Sequence, residues 1–105
     1  MSNVSSPAEP VGGMNAFEKY VESEIRIPLS IKKGDRKIVI VEVTIKETGE
    51  TGEIKVIRSP ATEFSDEAKR LIKEGPAWNP ALIGGKNIES KARLRIVFEG
   101  KNDNI

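Results

Sequence analysis

A chain of 105 residues with Lys+Arg 17 against Asp+Glu 16 has the length of one domain and too little net charge to draw nucleic acid or an anionic membrane. It contains neither cysteine nor histidine, which removes thiolate nucleophiles, Ser-His triads, haem ligation and every zinc site except an all-carboxylate one. No apolar run approaches the ~20 residues that span a bilayer. The residues before Met14 also lack the basic start and apolar middle of a secretory signal.

Residues 1–13, MSNVSSPAEPVGG, are rich in Ser, Pro and Gly, so a flexible tail is expected there, with the folded domain over 14–100 and a disordered end at 101–105. Met14, Phe17, Val21 and Ile25 then recur at helical spacing, with Glu18, Lys19, Glu22 and Glu24 between them. This predicts an amphipathic helix that ends before Pro28. Lys32-Lys33-Gly34-Asp35 reads as a turn. Beyond it Val39, Val41, Val43 and Ile45 alternate with Ile40, Glu42, Thr44 and Lys46, the period of a strand with one apolar face. Gly49 and Gly52 predict a hairpin loop, and Ile54 and Val56 a second strand antiparallel to the first.

A second helix is expected after Ser65, with the serine hydroxyl as cap and Asp66 and Glu67 against the positive helix end. Ala68, Leu71 and Ile72 form its buried stripe. Gly75-Pro76 ends it, the glycine in the left-handed cap conformation. Trp78 lies between Pro76 and Pro80 on a link expected to be neither helix nor strand, where an indole closes the open end of the core. Gly84-Gly85-Lys86 supplies a turn. In KARLRIVFEG, Ala92, Leu94, Ile96 and Phe98 face one way, and Lys91, Arg93, Arg95 and Val97 the other.

The order helix-strand-strand-helix-strand predicts an α+β fold, with two helices packed on one face of a three-stranded antiparallel sheet. The second helix has to cross between strands two and three. If the long first strand lies between them, the last strand is left on an edge. An edge strand with unpaired amides and carbonyls accepts an extended peptide without any catalytic side chain, and makes Lys91, Arg93, Arg95 and Val97 the candidate partner-binding residues. The same alternating cations also have a plain reading as a defence against edge-to-edge aggregation. Gly12-Gly13 lacks the preceding strand and following G-K-[ST] of a phosphate loop, so an ordinary helix start is expected. No acid-base constellation is visible, and the expectation is a non-enzyme without cofactor or metal.

Taken together, Pro10-Val11-Gly12-Gly13-Met14 before a helix, Gly52-Glu53-Ile54 with Val56 and Ser59, Asp66-Glu67-Ala68 with Ile72, Pro76-Ala77-Trp78-Asn79-Pro80, and Gly85-Lys86 before a strand ending in Phe98 resemble the C-terminal domain of TonB. The likeness is to the Bacteroidetes-type form, with its P-x-W-x-P link and G-K turn, and it covers Pro10 to roughly Glu99. Where the family usually has a Tyr-Pro-x-x-Ala segment, this chain has Ile27-Pro28-Leu29. The resemblance implies a periplasmic location, as the soluble end of an inner-membrane-anchored protein that couples a proton-motive complex, through an upstream region, to outer-membrane transporters. It further implies that a peptide of a TonB-dependent transporter adds as a strand to the sheet edge, and that the domain is a monomer or a strand-swapped dimer, with no nucleic-acid partner and no membrane insertion. The rival expectation is a sensing or regulatory appendage, since similar domains end membrane-anchored metallopeptidases and other signalling proteins.

Overall fold

The structure, a computed structural model, describes residues 5–100. In chain order it contains β1 (Glu9–Pro10), α1 (Met14–Glu24), β2 (Arg36–Ile45), β3 (Thr51–Arg58), α2 (Thr62–Glu74), β4 (Trp78–Asn79), β5 (Ala81–Ile83), β6 (Lys86–Ile88) and β7 (Ser90–Glu99).

The alternation in β2 determines the centre of the molecule. Val39, Val41, Val43 and Ile45 are all fully buried, because β-branched side chains at every second position stand on one face of a pleated strand. β2 lies between β3 and β7, and both pairs are antiparallel. The chain is thus α+β, with the expected three-stranded sheet and an edge position for β7. Leu94, Ile96 and Phe98 carry the apolar face across β7, and Phe64 of α2 meets Phe98 edge to face at 5.1 Å. Phe17 and Val21 of α1 and Ala68, Leu71 and Ile72 of α2 close the core over that face. Among the described residues no helix is long and apolar enough to cross a membrane.

Several local expectations differ from what forms. Gly52 belongs to β3; the loop turns at Gly49, whose φ is 90°. α2 begins a turn earlier than Ser65, with Ala61 at the cap position and no side-chain cap bond. The first amides find a backbone partner instead, since Phe64 and Ser65 both donate to the Ala61 carbonyl. Seating Phe64 in the core requires those residues to be helical already, and Ser65, itself buried, turns its hydroxyl back onto the Thr62 carbonyl at 3.0 Å. Glu63 is therefore the acid of the first turn, and Asp66 and Glu67 lie beyond it. Gly75 is extended (φ −82°, ψ −172°) rather than left-handed. A side chain is excluded there for another reason: a Cβ would stand 2.9 Å from the Tyr20 ring and 2.8 Å from the Leu71 carbonyl oxygen.

The tryptophan link is also more ordered than its prolines suggest. Trp78 and Asn79 form β4, which pairs with Glu9–Pro10, and Ser6 exchanges two backbone hydrogen bonds with Leu82 at 3.0 and 2.9 Å. So residues 6–10, from the segment read as a tail, lie along the link that covers the core. β5 and β6 make a separate small hairpin across Gly84-Gly85. Residues 101–105 lie outside the described residues. Trp78 is 3% exposed and its ring sits 6.0 Å from that of Phe17, which places it in the core as expected.

Candidate protein-binding edge

β7 pairs with β2 without interruption from Ser90, opposite Ile45, to Glu99, opposite Arg36. Among the described residues no strand pairs with its other side. In an antiparallel ladder each strand directs half of its amides and carbonyls toward each neighbour, so β7 carries an outward row of backbone groups along its 10 residues that are unpaired among the described residues. β3, the opposite edge, is different. Its register against β2 shifts twice, between Ile40 and Val41 and between Val43 and Ile45. Such irregularities twist an edge and interrupt the template that a visiting strand would need.

On the face of the sheet without helices, Lys91 stands opposite Thr44, Arg93 opposite Glu42, Arg95 opposite Ile40 and Val97 opposite Ile38. The three cations are exposed and Val97 is half-buried. Lys91 Nζ lies 3.9 Å from Glu42 Oε1. Arg93 and Arg95 make no ion pair among the described residues, and neither does Arg36 at the far end of β2.

Alongside β7 runs a groove whose second wall is α1. Its larger part, about 480 Å³, lies between Met14, Phe17 and Val21 of the helix and Leu94, Arg95 and Val97 of the strand. A further 440 Å³ continues past Val21 and Val97 toward Ile25 and Ile27. Three of the four residues singled out on β7 line this groove; Lys91 does not. The helical wall was not legible in the sequence, where Met14, Phe17, Val21 and Ile25 read only as the apolar face of an amphipathic helix. Met14 is in fact 42% exposed. No feature of the sequence alone distinguishes a stripe that covers a sheet from one that stops short of it.

A polar clasp to α2 holds that wall in place. Tyr20 Oη donates to the Leu71 carbonyl at 2.7 Å, and partial burial raises its pKa above the usual phenol value. Arg70 donates to the Glu24 carbonyl at 3.0 Å, satisfying an orphan acceptor at the end of α1, and forks onto both oxygens of Glu67. Glu67 also accepts the Arg26 amide at 2.7 Å. Partial burial pushes the Glu67 carboxyl upward, but the hydrogen bonds from Arg70 and Arg26 and their charges outweigh it and hold the group below the usual carboxylate range.

An α+β domain with one regular sheet edge, unpaired among the described residues, beside a groove with an apolar floor has the features of a protein-interaction module. Residues 30–99 match the family model described as Gram-negative bacterial TonB protein C-terminal, and the chain belongs to that family. The matched span starts after α1, so the helical wall of the groove lies outside it. No curated protein sequence matches the chain.

Proposed function

We propose that the chain is the periplasmic C-terminal domain of a TonB-like energy-transducing protein, and that it takes up a peptide segment of an outer-membrane transporter as an added strand on β7. The observation that carries this reading is the uninterrupted, one-sided pairing of β7 from Ser90 to Glu99. Family membership supports the transport role, and the groove supports the choice of β7 over β3. Backbone pairing supplies affinity at about 0.5–1.5 kcal/mol net per hydrogen bond, and alternate side chains supply selectivity. Force applied along an added strand loads its ladder bonds together, which suits a domain that must pull on its partner.

The test is titration of the isotope-labelled domain with extended peptides from the N-terminal segments of candidate transporters, reading amide shifts. Shifts along Lys91 to Phe98 and on the groove side of α1, with β3 and the β5–β6 hairpin unmoved, are expected. Shifts confined to β3 or that hairpin would remove β7 as the docking edge.

A further inference from the structure

We infer that the β7 edge selects its strand by charge, taking an extended peptide with acidic side chains at the alternate positions opposite Arg93 and Arg95 and apolar side chains at the positions between them. The inference rests on the strand-addition reading and adds to it the chemistry of the partner.

Residues of a strand added to β7 face its two sides in alternation. Those on the helix-free face become cross-strand neighbours of Lys91, Arg93 and Arg95, at the spacing where opposite charges attract and like charges repel. On the β2 side of this row Glu42 is the one carboxylate, flanked by Ile40 and Thr44, and it is directed to Lys91 at 3.9 Å. Arg93, although it stands opposite Glu42, and Arg95 therefore present guanidinium groups, two residues apart on one face, that make no ion pair among the described residues. Arg70 shows the alternative within the same domain, with its fork filled by Glu67 at 2.7 Å. A planar guanidinium with five donors matches a carboxylate in a way that a bare hydroxyl or amide does not.

The intervening residues of the visitor would face the groove, where Phe17 and Val21 are buried, Met14 is part-exposed, and Leu94 forms the floor. Glu18 and Glu22 rim the helical side of this groove, and Arg36, Arg93 and Arg95 reach it as well, so its charges are mixed and its apolar floor sets the requirement. The arginines thus set the requirement on the residues opposite them, and the apolar floor sets that on the residues between. A second copy of the chain is matched only in some registers. Pairing β7 with itself antiparallel and centred on Leu94 sets each Arg93 against an Arg95 of the other copy, whereas centring it on Ile96 sets each Arg93 against a Glu99.

The experiment uses the folded domain and fluorescein-labelled, N-acetylated peptides of sequence Thr-Val-Glu-Val-Glu-Val-Thr and Thr-Val-Lys-Val-Lys-Val-Thr, with a third in which alternate amides of the Glu peptide are N-methylated. At low salt the Glu peptide is expected to bind roughly tenfold or more tightly than the Lys peptide, the scale of two exposed pairs changed from attraction to repulsion. The preference should shrink as salt is raised. Arg93→Glu/Arg95→Glu is expected to reverse the order of the two peptides, and Arg93→Gln/Arg95→Gln to abolish the difference, with thermal melts verifying that each variant folds. Equal affinity of both peptides, with amide shifts still along β7, would overturn charge selection and leave strand addition standing, and the arginines would then serve only as guards of the edge. An N-methylated peptide that binds as tightly as its parent would instead overturn strand addition. Binding of neither parent peptide overturns both.

Discussion

At the scale of single residues, the described chain depends on close contacts that tolerate little change. Gly49 combines a φ of 90° with a position where a Cβ would run into the Trp78 carbonyl oxygen, while its own carbonyl accepts the Trp78 amide at 3.0 Å. Gly49→Ala adds left-handed strain to a backbone collision, and should lower unfolding stability by about 1–3 kcal/mol or more, measured by denaturant titration followed through Trp78 fluorescence. Unchanged stability would mean that the β2–β3 turn and the tryptophan link are not locked together. Glu67 gives a pH prediction. Because its folded-state pKa lies below the ordinary value of about 4.5, its ionised form stabilises the fold at higher pH, and that contribution is lost as pH falls through the folded value. Chemical-denaturation midpoints between pH 7 and pH 3 should therefore drop more steeply for the natural chain than for Glu67→Gln, which is already deprived of the charge at neutral pH. Parallel pH profiles would assign the acid sensitivity to other carboxylates.

At the scale of elements, the two faces of β7 should respond to substitution in opposite ways. Leu94 is 4% exposed against the helices, and Leu94→Ala should cost ~2–5 kcal/mol. Arg95 is its exposed neighbour, and Arg95→Ala should stay within about 0.5 kcal/mol of the natural chain. Thermal melts of the two variants check the register directly, since a slip by one residue would exchange the results. The same period of two made β2 and β7 readable in the sequence, and the helical period made α1 and the stripe of α2 readable. Helix α2's beginning was not, because Ser65 followed by two acids carries the local signature of a cap. Packing Phe64 against Phe98 outweighs that signature, as burial of a large aromatic exceeds the ~1 kcal/mol of a capping bond. Strand β4 was missed for a related reason. Its partner, Glu9–Pro10, lies in a stretch whose composition carries no strand pattern, and two residues of ladder are too short to show a period.

Across the whole molecule, protection from exchange should follow the layers. β2 is paired on both sides and covered by the core, so its amides should exchange only by global unfolding. Outward-directed amides of β7 should exchange rapidly in the free domain and slow down on addition of a bound peptide, while the inward-directed ones change little. Hydrogen exchange read by nuclear magnetic resonance with and without peptide checks this, and uniform protection along β7 before any peptide is added would mean that the edge is already covered. The sequence by itself determined which residues are apolar at which period, and hence the three long strands, the two helices, their order and the candidate side chains Lys91, Arg93, Arg95 and Val97. Period and order are local properties, set by backbone geometry within a few residues. Only the tertiary structure decided that α1 stops short of β7, leaving Met14, Phe17 and Val21 as the far wall of a groove, and that β3 rather than β7 has the irregular edge. Those features depend on how far apart two packed elements come to rest. That spacing is set by the sum of contacts to Trp78, Leu71, Arg70 and Glu67 from distant parts of the chain, and no single segment encodes it.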